Sequence, residues 1–400
     1  MKKVAFTLLL FLACCRLTAQ CPTGDIIFTT QGQIKSFPMN YPGCTHIPGS
    51  ISIGEQYSWN IINHLDSLSQ ISFIGGNLNI FNTNLMSLKG LHNLDSIGGN
   101  LYVEDNSCLT NLSGLNNLTS IGGYLNMTAN TGLTSLSGLD NLTSIGGELF
   151  LWANYYLTSL SGLGNLISIG GNMELNTNVL KSVSSLGNLI SIGGDLYVNE
   201  PCLTSLSGLG NLISIGGDLY LMNTKTLTSL SGLENLTSLG GGLYVTYNHS
   251  LTSLSGLDNV DFAATTEMEI FQNPKLALCN VQSVCELFES GGGFPFIFDN
   301  ASGCDNIYEV KAACLIPTNE AFSVEPPLQI FPNPAGGFLQ IQISDPETWD
   351  VSLLDLQGRQ VWRQQVSGSR TIELKNWPAG LYTIRAVSGA SVFSGKIVKQ

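Results

Sequence analysis

Side chains able to contact a ligand recur at fixed places in the middle of this 400-residue chain. Aromatic residues repeatedly occupy an outward position, and their rings suit stacking on sugar rings or docking of a peptide. Two aspartates, Asp195 and Asp218, hold the same place in neighbouring repeats and form a candidate Ca²⁺ site, because Ca²⁺ prefers oxygen ligands. The candidate ligand-binding residues are Tyr102, Phe150, Trp152, Tyr197, Tyr220 and Tyr244.

Both sets also have a structural explanation. Aromatic residues favour strand surfaces, where they stabilise a sheet by pairing across strands. Two carboxylates ~5 Å apart repel each other by only about 1 kcal/mol in water, so they can remain solvated without a metal. Apart from the possible Ca²⁺, no cofactor is expected.

No catalytic constellation is recognisable in the sequence. His92 falls at a repeat position that holds Asn, Asp, Gly or Glu in other repeats, which is typical of a solvent-facing site. The Gly-Gly pairs lack a following GxxxxGK, and neither HExxH nor CxxC occurs. The sequence therefore predicts that the chain is not an enzyme. The remaining enzymatic alternative is a site near Glu286 and Glu289.

An internal repeat must position these side chains. (Ile/Leu)-Gly-Gly recurs every 23 or 24 residues from Gly75 to Gly240, a period typical of a solenoid. Before each pair, apolar residues recur every third position among Ser, Thr and Asn, which favours a turn-rich coil over a helix. After each pair the period changes to two, which predicts a short strand. Strands are expected near residues 50–53, 77–80, 100–103, 124–127, 148–152, 172–175, 195–198, 218–221, 242–245 and 267–270.

The fold expected is mainly β: a right-handed β-solenoid with one long parallel sheet, followed by a small Ig-like β-sandwich. The Gly-Gly pairs are interpreted as giving the backbone freedom for the turn into each strand. Asparagines after the strands are expected to form a buried ladder that bonds the turn backbone. These are Asn106, Asn130, Asn154, Asn178, Asn248 and Asn273.

Charge and the N-terminus indicate an exported protein. Residues 50–275 contain 16 acids against four lysines and no arginine, so nucleic-acid binding is not expected. Residues 1–19 have the charged start and short apolar core of a signal peptide, and no apolar run approaches the ~20 residues of a transmembrane helix.

Cysteines in an exported chain are expected to form disulfides. Cys21–Cys44 is the natural pair before the repeats. After them, Cys279–Cys304 with Cys285–Cys314 is favoured among three possible pairings. Cys108 and Cys202 lie four repeats apart, ~19 Å at the spacing of stacked strands, and are expected to be buried, unpaired thiols.

Two stretches resemble known families. The repeats NLTSIGGELFLWANYYLTSLSGL and their copies, over residues 49–276, are similar to receptor L domains, which implies ligand binding or surface architecture. Residues 328–400 closely resemble the type IX secretion C-terminal sorting domain, which implies export to the cell surface or the medium, with removal of this domain, and the secretion machinery as a partner. The residues that carry this second resemblance are Pro332, Asn333, Pro334, Gly358, Gly380, Tyr382 and Lys396.

These observations predict an exported, non-catalytic binding or adhesion protein that recognises a polysaccharide or an extracellular protein through its outward sheet face. The alternative is a structural surface-layer component without a dedicated ligand. The expected domains are 1–19 (signal peptide), 20–48 (N-terminal disulfide cap), 49–276 (repeats), 277–316 (Cys-rich C-terminal cap), 317–327 (linker) and 328–400 (sorting domain).

Overall fold

The computed structural model describes residues 21–55, 61–262, 265, 267–290, 295–315, 328–331, 335–343, 348–355, 359–388 and 391–400. The chain divides into two compact units, one up to residue 316 and one from residue 317 onwards. The expected signal peptide and linker lie outside the described residues.

One parallel sheet of twelve described strands runs the length of the first unit, with strands paired in chain order. We call it the wide sheet. Within its strands, buried and outward residues alternate, as at Leu149-Phe150-Leu151-Trp152, because successive side chains of a strand point to opposite faces. Its strands are Ile26–Phe28, Ile51–Ile53, Leu78–Phe81, Leu101–Glu104, Leu125–Thr128, Leu149–Trp152, Met173–Asn176, Leu196–Asn199, Leu219–Met222, Leu243–Thr246, Met268–Phe271 and Phe296–Phe298.

A second parallel sheet, the narrow sheet, lies just before the Gly-Gly pairs, in a segment predicted to be coil. Each strand has two residues, too few to show a period of two, which explains why the sequence pattern did not reveal it. The nine described strands are His46–Ile47, Phe73–Ile74, Ser96–Ile97, Ser120–Ile121, Ser144–Ile145, Ser168–Ile169, Ser191–Ile192, Ser214–Ile215 and Ser238–Leu239.

The Gly-Gly pairs serve a different purpose from the one predicted. They do not adopt the positive φ angles that favour glycine; those occur in the SGL turns, as at Gly138 with φ 114°. Instead, a Cβ atom added to Gly146 would overlap the carbonyl oxygen of Gly122 in the preceding repeat. The pairs therefore let successive coils approach closely as they pass from the narrow to the wide sheet.

Between the two sheets, a single apolar core extends from Phe28 to Val310. The leucines at every third position all point inward; Leu133, Leu136, Leu139 and Leu142 are each fully buried. No single repeat could bury this row alone, which is why the core is continuous across the stack.

A buried polar ladder bonds the turn after each strand to its neighbour. The Oδ1 atom of Asn130 accepts the backbone N–H of Asn106 at 3.2 Å, and Oδ1 of Asn154 accepts that of Asn130 at 3.0 Å. The expectation for Asn178 was wrong, because this side chain is exposed and Thr177 is the buried residue of that repeat. One strand further on, Glu200 takes the ladder position.

Disulfide-linked caps close the two ends. The N-terminal cap contains helix Gln31–Asn40, begun by a Thr30–Gln33 capping box, and the bond Cys21–Cys44. The C-terminal cap contains helices Gln282–Ser290 and Ile307–Cys314. Its disulfides are Cys279–Cys304 and Cys285–Cys314, the pairing favoured from the sequence. Short 3₁₀ turns occur at Asp66–Leu68, Ser184–Leu186 and Ser207–Leu209.

Cys108 and Cys202 are unpaired, but the expectation that they are buried was wrong. Cys108 is exposed and Cys202 is partly exposed. Both immediately precede an inward leucine, so they face away from the core. The sister residues Thr226 and Lys275 are polar, which was the sequence signal for an outward position.

The second unit is a small antiparallel β-sandwich. One sheet has three described strands and the other has four, and apolar side chains from both form one core, among them Leu339, Val351 and Ile384. The strands are Leu328–Phe331, Phe338–Ile343, Trp349–Leu354, Gln360–Val366, Ser369–Glu373, Gly380–Ser388 and Ser391–Lys399.

Candidate functional site

The wide sheet carries three rows of outward side chains that run across its strands. The first row precedes each strand, the middle row is the second residue of a four-residue strand, and the third row is the fourth residue. In one strand these are Glu148, Phe150 and Trp152, separated by the buried residues Leu149 and Leu151. We call this surface the outward face.

Three of the candidate tyrosines form a continuous row on neighbouring strands. Tyr197 is in register with Tyr220, and Tyr220 with Tyr244. The ring centroids of Tyr197 and Tyr220 are 5.7 Å apart, with the rings tilted by 49°. Those of Tyr220 and Tyr244 are 4.4 Å apart and nearly parallel, at 11°. All three side chains are half-buried, so this tyrosine row forms a continuous aromatic surface that is partly open to solvent.

The other aromatic candidates lie apart from the tyrosine row. Phe150 pairs with Asn126 on one side and Glu174 on the other, so Glu174 separates it from Tyr197. Trp152 is 47% exposed in the third row. Tyr102 lies further away, between two asparagines of the middle row. The structure thus brings together half of the predicted aromatic set.

Carboxylates fix the polar ends of the tyrosine row. The Tyr220 hydroxyl donates to Oδ2 of Asp218 at 2.7 Å, and the Tyr244 hydroxyl donates to Oε2 of Glu267 at 2.8 Å. Burial, and then the Asp218 hydrogen bond, raise the pKa of Tyr220. Burial, and then the Glu267 hydrogen bond, raise the pKa of Tyr244 to about 12. Both hydroxyls therefore stay protonated at neutral pH.

The two candidate calcium ligands have a structural role. Oδ1 of Asp195 accepts the backbone N–H of Asp218 at 2.8 Å, and Oδ1 of Asp218 accepts that of Gly242 at 2.6 Å. The sister residues Asn77 and Asn100 accept the same bond at the other end of the sheet. Within the described residues, no group of three or more His, Cys, Asp or Glu is arranged to hold a metal ion.

Glu174 is a carboxylate of the outward face whose pKa is raised. Partial burial, and then the nearby Glu148 carboxylate, raise its pKa above the ordinary value. Glu148 Oε1 in turn accepts a hydrogen bond from Asn172 Nδ2 at 3.3 Å. The acidic side chains of neighbouring strands therefore share one electrostatic environment.

The structure adds aromatic residues that the sequence analysis did not select. Phe271 and Phe298 stack in the third row, with centroids 4.9 Å apart and rings 3° from parallel. Phe296 is 63% exposed in the middle row. The alternation Phe296-Ile297-Phe298 is typical of a strand, but it lies within residues 277–316, the predicted C-terminal cap.

In the second unit, three of the candidate sorting residues lie within the described part of the chain. Gly380 begins a strand with φ 156°. Tyr382 is buried, and its hydroxyl donates to the carbonyl of Pro378 at 2.9 Å. Lys396 lies within the last strand. Pro332, Asn333, Pro334 and Gly358 lie outside the described residues.

Comparison with known families agrees with this architecture. The receptor L domain family matches residues 43–113, and the secretion system C-terminal sorting domain matches residues 329–400. No curated protein matches the chain. No helix of the described residues is both long and apolar enough to cross a membrane. A type IX sorting tail directs its chain, through the secretion machinery, to the cell surface or the medium. The chain is therefore similar to receptor L domains over residues 43–113 and carries a type IX sorting tail, which indicates export to the cell surface or the medium.

Proposed function

We propose that this chain is a non-catalytic binding or adhesion protein that recognises its ligand with the outward face of the wide sheet. The tyrosine row is the observation that carries the proposal. Three rings on adjacent strands form a half-exposed row, and the hydroxyl groups of Tyr220 and Tyr244 are held by carboxylates. Such a rigid aromatic surface buries large area on binding at little entropic cost.

The absence of catalysis is part of this proposal. Glu286 and Glu289, the acids of the enzymatic alternative, are exposed on helix Gln282–Ser290. Oε1 of Glu286 accepts a hydrogen bond from the Gln282 amide at 2.6 Å. The carboxylates of the outward face bond backbone amides and tyrosine hydroxyls, which suits the support of a surface rather than proton transfer.

One observation favours the alternative, a structural surface-layer component. The tyrosine rings stack on one another, and such cross-strand pairs stabilise a sheet whether or not a ligand binds. The two functions differ in what removal of the rings should do. A structural row would lose stability only, whereas a recognition row would also lose a ligand.

A screen of the whole oxidised chain on an array of polysaccharides and extracellular proteins separates them. The Tyr197→Ala, Tyr220→Ala variant should lose a signal that the wild type gives. The matched control is Tyr155→Ala, Tyr156→Ala, which removes two exposed tyrosines from a corner turn, and it should keep the signal. No signal from folded wild type, or equal signals from all three chains, would favour the structural alternative.

A further inference from the structure

Carboxylates recur along the outward face. The four lysines of residues 50–275 lie elsewhere, exposed at positions 89, 181, 225 and 275. No Lys or Arg occupies the three outward rows of the described strands. The acidic residues of these rows are Asp25, Glu104, Glu148, Glu174, Asp195, Asp218, Glu267 and Glu269.

Four carboxylates of the outward face are not paired with a cation of the described residues. Within the described part of the chain, no ion pair involves Glu148, Glu174, Asp195 or Asp218. The hydrogen bonds of Glu148, Asp195 and Asp218 come instead from an asparagine, backbone amides and a tyrosine hydroxyl, which carry no net charge. The negative potential of the face is therefore available to a partner.

The aromatic and acidic residues are interleaved. In the middle row, Glu174 is in register with both Phe150 and Tyr197, and Glu269 lies between Tyr244 and Phe296. A guanidinium or ammonium group gains from both neighbours, because it is attracted to the face of an aromatic ring and to a carboxylate. An anionic glycan would be repelled by the same carboxylates.

Building on the proposed function, we propose that the partner of the outward face is a cationic polypeptide segment, rich in Arg or Lys, that lies across the tyrosine row and the carboxylates beside it. The aromatic rings supply contact area and the carboxylates supply charge complementarity. The sheet face thus selects its partner by charge as well as by shape.

The test titrates the whole chain with an alternating Arg-Ser peptide and, in parallel, with its Glu-Ser counterpart, a neutral cello-oligosaccharide and a polyuronate. The key variant is Asp195→Asn, Asp218→Asn, whose new amides can accept the same backbone bonds that Asn77 and Asn100 accept. The control is Asp140→Asn, Asp258→Asn. It removes the same charge at turns where Asn116 shows that asparagine makes the equivalent bond to the glycine N–H.

We expect saturable binding of the Arg-Ser peptide alone, roughly tenfold weaker in the Asp195→Asn, Asp218→Asn variant and weaker at high salt. The control variant and the wild type should bind alike. Equal losses in both variants would mean unspecific attraction to an acidic protein and would overturn the proposal. Tyrosine-dependent binding of a neutral or anionic ligand instead would overturn this inference while leaving the proposed function intact, and no binding of any array or titration ligand would reject both.

Discussion

The inward and outward rows of the wide sheet differ in how much their residue types vary from strand to strand. Inward positions of the strands from Ile51 to Ile297 hold leucine, isoleucine, valine or methionine, all buried. Outward middle-row positions change from asparagine, at Asn79 and Asn126, to tyrosine, at Tyr197, Tyr220 and Tyr244. The inward rows are constrained by stacking, so they define the fold. The outward rows are not constrained in this way, so their residue types can vary to suit a ligand.

The sharpest test of this difference uses two adjacent residues of one strand. Leu151 is fully buried, whereas Trp152 is 47% exposed. We expect Leu151→Ala to lower the free energy of unfolding by about 2–5 kcal/mol, because it leaves a cavity in a close-packed core. Trp152→Ala should cost less than about 1 kcal/mol. Urea unfolding of both variants measures this, and equal losses would refute the distinction between rows.

The next effect concerns the close approach of the coils. Gly146→Ala places a methyl group against the Gly122 carbonyl and should cost about 1–3 kcal/mol. Gly164→Ala is the matched control, since the nearest atom to its added Cβ is 4.0 Å away. Thermal unfolding should therefore show a clearly lower midpoint for Gly146→Ala alone. A Gly146→Ala midpoint equal to that of the control would show that the pairs serve turn flexibility after all.

A pH-dependent effect is expected from the buried ladder. Burial raises the pKa of Glu200 above its ordinary value of 4.5, against the opposing hydrogen bonds from the N–H groups of Thr177 and Leu180. A carboxyl with a raised pKa in the folded state contributes stability at low pH, and this contribution is lost as pH rises through that pKa. The free energy of unfolding should thus fall as the pH rises above 4.5 and through the raised pKa of Glu200.

The fall should be smaller in the Glu200→Gln variant, which cannot ionise at this position. Exposed Glu234 provides the control, because Glu234→Gln should leave the pH profile of the wild type unchanged. Identical pH profiles for Glu200→Gln and the wild type would show that Glu200 does not produce the effect.

The smallest effect distinguishes the structural role of the aspartates from a metal-binding role. Asp218→Asn keeps an acceptor for the Gly242 N–H, and its Nδ2 can donate to the Tyr220 hydroxyl as Nδ2 of Asn100 donates to that of Tyr102, so stability should change by less than about 0.5 kcal/mol. Asp218→Ala removes both hydrogen bonds and should cost more than about 1 kcal/mol. Chemical unfolding with and without Ca²⁺ checks both. If Ca²⁺ stabilises the wild type and Asp218→Asn abolishes this stabilisation, Asp218 is a calcium ligand.

The repeats made the inward half of the structure predictable. Periods of three and then two placed the leucines and the strands correctly to within one residue. The narrow sheet was not predicted, because a strand of two residues shows no period. The ladder position of Glu200 was not predicted either, because a glutamate stands where most repeats have asparagine or threonine. For the candidate site, sequence register predicted the tyrosine row. The hydroxyl partners Asp218 and Glu267 depend on side-chain directions that no repeat pattern encodes.

We expect that outward residues of the wide sheet can change without altering the fold, whereas loss of the tyrosine row abolishes recognition. The most direct test is the Tyr197→Asn, Tyr220→Asn, Tyr244→Asn variant, which gives the tyrosine row the residue found at Asn79 and Asn126. It should keep the circular dichroism and cooperative unfolding of the wild type and lose its ligand on the polysaccharide and protein array. Unchanged ligand binding would show that the tyrosine row does not recognise the ligand, and loss of the fold would show that the outward residues are needed for folding.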